Sequence, residues 1–298
     1  MNVTTIGKIT PHIDFLGSSK ICNYLVNGDQ ESALLDTGMA LDAGDLCMQI
    51  REHLQDTDRL RWILLSHSHY DHLGGTPFLI KQFPQIKTAA HPHVDEILSK
   101  PSAIKLMQRL NAEYETLRKM KSDIEFSAFS IDHFTKHNEI IDLGNVSIQV
   151  MYTPGHTRGC VSFYILPDKA LYGSDVLGAP TPTGFIQTAF LSNYNQYLNS
   201  LLELQNLEIE VLCLPHGGVI KGATAAKGFL QKSIDQTISL RERITSYLLD
   251  LDYAVDAVTQ KIIDEDYQKY QVEQPVEAFR LNTLAMVNTT KRDLFNRQ

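Results

Sequence analysis

Four side chains able to bind a metal ion fall within six residues, His67, His69, Asp71 and His72, in the segment SHSHYDHLGG. Neutral imidazole is the commonest protein ligand for zinc-like ions, and carboxylates add the hard oxygen donors that a hydrolytic site uses. On a tight loop, alternate residues His67 and His69 can address one ion while the turn swings Asp71 and His72 toward a second. Two ions need more donors than this loop supplies, and three stand later in the chain. These are His156 after Thr153-Pro154-Gly155, Asp175 after Ser174, and His216 ahead of Gly217-Gly218. Gly74, Gly75, Gly155 and Gly217 would let the backbone pass close to such a site without a Cβ in the way. Taken singly, His156, Asp175 or His216 would be an ordinary residue; their order behind the dense loop sets them apart. His12, His53, His91, His93, His133 and His137 lack that context and are read as ordinary histidines.

The elements that must carry these residues are legible as short apolar runs. Trp62-Ile63-Leu64-Leu65 has the pattern of a strand buried on both faces, and it delivers the chain into the histidine loop. Similar runs at 146–152, 169–173 and 209–214 lead to His156, Asp175 and His216. Residues 20–27 and 31–36 flank Gly28-Asp29 as a hairpin that ends at Asp36-Thr37-Gly38, and helical periodicity follows over 41–55. Leu106, Leu110, Tyr114 and Leu117 predict an amphipathic helix entered near Ser99 and Pro101, within a helical insertion of about 95–135. After His216 the apolar positions Leu230, Ile234 and Ile238, then Val255, Val258 and Ile262, then Phe279, Leu281 and Leu284 predict helices with no strand between them. The organisation expected is therefore a catalytic domain over 1–225 and a helical extension over 226–298 that covers the active site.

Composition narrows the ligand. A net charge of −8 over 298 residues argues against a nucleic-acid backbone as partner, because such surfaces need clustered Lys and Arg. It leaves room for a local basic patch that grips the phosphates of a small anionic substrate. The 43% hydrophobic and 21% charged content is that of an ordinary globular chain, no stretch approaches 18 apolar residues, and the start lacks a secretory signal, so a cytoplasmic, non-membrane protein is expected. Cys22, Cys47, Cys160 and Cys213 are scattered without CxxC pairing, which predicts buried free thiols rather than disulfides or a Cys-based zinc site.

Taken in order, DTG, SHSHYDHLGG, TPGHTRGCVS, LYGSD and LPHGG resemble the landmark segments of the metallo-β-lactamase superfamily over about residues 10–225. The resemblance implies an α/β fold, an αββα sandwich of two mixed sheets with helices outside. It further implies that His67, His69 and His156 hold one metal, that Asp71, His72 and His216 hold the other, and that Asp175 bridges them. Asp71 and His72 together are similar to the dinuclear, glyoxalase II-like branch, whereas the antibiotic-degrading lactamases commonly carry cysteine at the position of Asp175. The acyl-homoserine lactonases place a tyrosine three residues beyond the bridging Asp, where this chain has Gly178. A longer stretch, with SAIKLMQRLNAEY and a long helical tail, resembles the quinolone-signal response thioesterases of pseudomonads, which carry a Gly-Glu pair where this chain reads Gly178-Ala179.

The chemistry implied is hydrolysis of a small acyl substrate, with a thioester of the acyl-CoA kind first and a lactone or other ester second. Two ions roughly 3.5–4 Å apart can share one water and lower its pKa from about 15.7 toward ~7, so that a bridging hydroxide is the nucleophile. Asp71 is the candidate catalytic carboxylate as well as a ligand. Asp36 either supports a ligating histidine or caps the turn that follows it. Zinc, iron and manganese all suit the donor set. A homodimer is allowed by this reading. The alternative from outside enzymology is a regulatory protein that acts through contacts of the helical extension.

Overall fold

The computed structural model describes residues 2–295. Its contacts divide the chain into two units, the first made of Met1–Tyr152, Gly159–Ser174 and Glu208–Ala226, the second of Thr153–Arg158, Asp175–Leu207 and Lys227–Gln298. In chain order the first half holds β1 (Asn2–Val3), β2 (Gly7–Lys8), β3 (Ile13–Gly17), β4 (Cys22–Asn27), β5 (Ser32–Leu35), α1 (Ala43–His53), β6 (Leu60–Leu64), α2 (Tyr70–Leu73), α3 (Thr76–Gln82), β7 (Lys87–Ala90), α4 (Pro92–Leu98), α5 (Pro101–Arg118) and β8 (His133–Phe134). The second half holds β9 (Ile140–Asp142), β10 (Ser147–Tyr152), β11 (Val161–Leu166), β12 (Ala170–Tyr172), β13 (Ala179–Pro180), β14 (Ile186–Gln187), α6 (Tyr194–Gln205), β15 (Val211–Cys213), β16 (Val219–Lys221), α7 (Ala223–Asp250), α8 (Val255–Asp266) and α9 (Val276–Phe295).

Two mixed seven-stranded sheets form the first unit, ordered β1-β16-β15-β12-β11-β10-β9 and β2-β3-β4-β5-β6-β7-β8. Their inner faces meet in one core, where alternate residues of each strand point inward. Tyr24 and Val26 of β4, Ala33 and Leu35 of β5, Phe163 and Ile165 of β11, and Tyr172 of β12 all belong to it. The intervening residues Leu25, Leu34 and Ile63 are also fully buried, because the outer face of the second sheet is covered, and α1 lies on β3 with Ala43, Leu46, Cys47 and Ile50 turned inward. Burial on both faces explains why these strands read as continuous apolar runs rather than alternating ones. Parallel pairing of β5 with β6, and of β12 with β15, brings the C-terminal ends of each pair out side by side.

The second unit contains the β13–β14 hairpin, α6, α7 from Lys227 onward, and α8 packed on α9. No helix among the described residues is long and apolar enough to cross a membrane.

After β16 pairs antiparallel with β15, the apolar positions expected to be helical between 230 and 284 lie in α7, α8 and α9 with no strand between them. Two expectations need correction. The insertion is helical only to Arg118, where Lys119 takes a left-handed φ of 53° and ends α5, and residues 119–132 hold no helix. Finally, α5 buries Met107, Leu110, Asn111 and Tyr114, while Leu106 and Leu117 are 39% and 49% exposed. The buried stripe is rotated because Asn111 is an inward polar residue, its carbonyl accepting from the Ala40 amide at 3.3 Å and its amide donating to the Met107 carbonyl.

Candidate metal centre

The four segments that carry the candidate donors follow β6, β10, β12 and β15. The segment 65–69 follows β6, and in α2 both Asp71 and His72 lie in a single helical turn that His69 precedes. His216 follows β15, on a loop tied to β4 from two sides: the Cys22 amide donates to the Pro215 carbonyl at 2.9 Å, and the Tyr24 hydroxyl donates to the Leu214 carbonyl at 2.7 Å.

Within the first unit, Asp71, His72 and His216 offer donor atoms that all lie within 4.8 Å of one another. His72 Nδ1 donates to the Asp36 carboxylate at 2.7 Å, and His216 Nδ1 donates to the Lys20 carbonyl at 2.6 Å. An imidazole that gives its Nδ1 proton to an oxygen keeps a lone pair on Nε2, the tautomer a metal ion requires. Both Nε2 atoms are turned toward Asp71 Oδ2, at 3.9 Å from His72 and 3.7 Å from His216. These are spacings for a shared ion. His67 stands next to this group, its ring centroid 4.1 Å from that of His72 and 4.5 Å from that of His69. Its Nδ1 meets the hydroxyls of Ser66 and Ser174 at 3.0 and 3.2 Å.

Within the second unit, His156 and Asp175 form a second donor pair, Nε2 to Oδ2 at 3.3 Å. His156 Nδ1 donates to the Ala189 carbonyl at 2.8 Å, so its Nε2 also carries a lone pair. The loop is shaped by Gly155, whose φ is 126° and where a Cβ would fall 2.1 Å from the Tyr197 amide nitrogen. Ser200 Oγ donates to the Pro154 carbonyl and Tyr197 donates to the Asp175 carbonyl, so α6 supports both donors. Two lone pairs at 3.3 Å repel unless a proton or a cation lies between them. Asp71, His72 and His216 therefore fit a divalent ion on chemical grounds, and His156 and Asp175 offer two further donor atoms.

Asp36 settles toward ligand support. It is 1% exposed, and its carboxylate accepts from His72 Nδ1, the Ser66 amide (2.7 Å), the Ser66 hydroxyl (2.6 Å) and the Tyr172 hydroxyl. Ser66, Tyr172 and the carbonyls of Ala189 and Lys20 are supporting groups that the sequence left unassigned. A serine directly before a ligand was the available signal for Ser66; nothing local marks a supporting carbonyl. Tyr70, beside Asp71 in α2, is buried, 8% exposed.

The six histidines set aside have other neighbours: His12 with Asp168, His53 with Asp14, His93 with Glu96, His133 with Glu139, His91 stacked on Tyr152, and His137 accepting from the Tyr152 amide. None joins either donor group. The four cysteines are buried and form no disulfide among the described residues, and burial pushes the Cys22 thiol up to about 12 and Cys213 higher. Helix α5 packs on α2, and its Tyr114 phenol is held above its usual range chiefly by burial, with the charge of Asp42 next and that of Asp71 among the smaller causes.

A family model described as the metallo-beta-lactamase superfamily matches residues 23–216. The chain is 25% identical over 206 residues to a metallo-beta-lactamase fold-containing protein, ST1585, of Sulfurisphaera tokodaii, covering 66% of this chain and 72% of that one. It is 26% identical to glyoxylase B2 of Dictyostelium discoideum (68% and 63% covered) and 24% identical to the human acyl-coenzyme A thioesterase MBLAC2 (64% and 71%). Among solved structures, the archaeal ST1585 superimposes with a TM-score of 0.54 at 20% identity (79% and 84% covered), and a Cronobacter sakazakii metallo-beta-lactamase with 0.59 at 20% (83% and 95%). At these identities the superpositions speak for the fold.

Proposed function

Because the chain belongs to the metallo-beta-lactamase superfamily, a hydrolase family, we propose that it cleaves a small acyl substrate with two divalent ions, a thioester of the acyl-CoA kind being the substrate class. One ion is assigned to Asp71, His72 and His216, and the other to His67, His69 and His156, with Asp175 between them. The observation that carries this reading is the tautomer state: His72, His216 and His156 each give Nδ1–H to an oxygen and aim Nε2 at a carboxylate. When bound, such ions supply Lewis acidity toward a carbonyl and a hydroxide at neutral pH.

The side chains have separate tasks in this scheme. His72 and Asp71 sit on one helical turn, so a single rigid element sets both. Asp71 and His216 are each 19% exposed, which gives the reacting carbonyl access to this side of the centre, while His67, His72 and His156 are almost fully buried and keep water from their ring edges. Asp71 is also assigned the task of holding the proton of an incoming water. Residues 1–225 carry the chemistry, and the helices of 226–298 select the acyl group.

Support for the thioester comes from relatives named as thioesterases, MBLAC2 and the atrochrysone carboxyl ACP thioesterase of Aspergillus fumigatus, of which the chain spans 71% and 56%. The resemblance to the quinolone-signal response thioesterases adds a sequence argument for the same bond type. A lactone is disfavoured by Gly178: its φ is 76°, and a Cβ would meet Ile186 Cγ2 at 2.7 Å, so a lactonase-type tyrosine does not fit there. The test is a panel of acyl-CoA, glutathione-thioester and lactone substrates assayed with protein loaded by zinc, iron or manganese. Turnover is expected first on acyl-CoA thioesters; absence of turnover on the whole panel with every metal contradicts the proposal.

A further inference from the structure

Asp36 directly follows β5 and Ser66 lies two residues past the end of β6, and the parallel pairing of those strands sets them side by side. Asp36 adopts a left-handed φ of 53°, a conformation that costs a non-glycine residue on the order of 1–3 kcal/mol and persists where surrounding contacts impose it. The contacts are plain. Four donors converge on one buried carboxylate: the Ser66 amide on Oδ1, and the Ser66 hydroxyl, His72 Nδ1 and the Tyr172 hydroxyl on Oδ2.

The direction of these bonds has a consequence for His67. A carboxylate only accepts, so the Ser66 hydroxyl spends its single proton on Asp36 and can only accept from His67 Nδ1 at 3.0 Å. That fixes the proton of His67 on Nδ1 and the lone pair on Nε2. The Ser174 hydroxyl, 3.2 Å from the same Nδ1, is joined to the Cys160 thiol rather than to a carboxylate, and it can turn either way. Ser66 is thus the contact that carries the orientation from Asp36 to His67.

We infer that Asp36 is a positioning residue for two histidines assigned to different ions: directly through His72 and through Ser66 to His67, one carboxylate sets the tautomer and aim of both rings, and so links the affinities of the two ions. The inference rests on the two-ion reading above. Ions bound on one side hold Asp36 and His72 in place, which leaves less ordering to be done at His67 when the other ion binds.

The experiment has two readouts on the full-length protein. Long-range proton–nitrogen spectra of the metal-free chain report the tautomer of each imidazole. Titration with zinc against a chromophoric chelator reports the two stepwise affinities. The wild type is expected to show Nε2 lone pairs on both His67 and His72 and two linked binding steps. Ser66→Ala should release the His67 tautomer, leave His72 unchanged, weaken one step by about 10–100-fold, the usual cost of losing a supporting group, and abolish the linkage. Ser66→Thr, which keeps the hydroxyl, should restore all three. Asp36→Asn should disturb both histidines; if it fails to fold, the Ser66 pair carries the test. An unchanged His67 tautomer and unchanged affinities in Ser66→Ala, or an Asp36→Asn variant disturbed at His72 alone, overturns the inference. A wild type that binds no zinc overturns the two-ion reading, and the linkage with it, while the tautomer spectra still decide whether Asp36 governs both rings.

Discussion

His156 Nε2 and Asp175 Oδ2 stand 3.3 Å apart while His156 Nδ1 is committed to the Ala189 carbonyl. An imidazole so oriented faces a carboxylate lone pair with its own, and the arrangement is stable only around a cation or a proton. The same logic repeats at His72 and His216 around Asp71. It is this orientation of the rings, more than the count of histidines, that makes the chain a metal protein in our reading.

If Asp175 joins the two ions, its removal should be felt more than that of a supporting group. Asp175→Asn and His156→Gln are expected to lower the metal content by one equivalent and to reduce turnover at least about 100-fold, beyond the ~10–100-fold typical of supporting residues. Metal analysis alongside kcat on the best thioester checks this; full metal content with undiminished kcat would remove both residues from the centre.

Gly178 can be tested from the opposite side, by adding what the lactonases have. Gly178→Tyr forces a side chain onto a φ of 76° and into Ile186. The expected result is a loss of roughly 1–3 kcal/mol of stability, read from the urea midpoint, with no gain of lactone turnover. A variant as stable as the parent that hydrolyses lactones would show that the loop can be rebuilt.

Helix α5 distinguishes its two faces by the cost of truncation. Leu110 is 7% exposed, so Leu110→Ala should cost about 2–5 kcal/mol, whereas Leu117, 49% exposed, should cost within about 0.5 kcal/mol when replaced by Ala. Equal costs would mean that the buried face has been misplaced.

How far the sequence carries can be judged from the same helix. Its existence and start at Pro101 follow from periodicity, but the facing residues were misjudged, because leucines mark an apolar stripe only when no polar residue packs inward, and Asn111 does. The strands of the core were found wherever a ligand followed them. Short elements such as β7, β11 and β16, and helix α6, lead to no candidate ligand at their C-terminal ends and are too short or too irregular to stand out by period. At the site, the candidate donors are legible because several imidazoles and carboxylates in ordered motifs after apolar runs are chemically conspicuous. Their supports are not, since a backbone carbonyl such as that of Ala189 has no sequence signature, and Tyr172 reads as one more core aromatic.

The thiols give a pH dependence whose sign is fixed. Cys22 in the unfolded chain ionises near 9.0, and burial raises it to about 12 in the fold, so folding favours the protonated thiol. The corresponding stability is complete below pH 9 and falls as the pH rises from 9 toward 12. The urea midpoint should therefore be lower at pH 10 than at pH 8, with part of the difference abolished in Cys22→Ala. At pH 8 a thiol reagent should react slowly with the native chain and rapidly with all four cysteines in denaturant; rapid reaction of Cys22 in the native state contradicts its burial.

The central claim is that this chain holds two ions and needs both. The most direct measurement is elemental analysis of purified protein after saturation with one divalent metal and removal of the excess, with anomalous scattering from crystals to locate the ions. The account predicts two equivalents per chain, one among Asp71, His72 and His216 and one beside His67, His69 and His156. A single equivalent at saturation, or ions bound elsewhere, would contradict it.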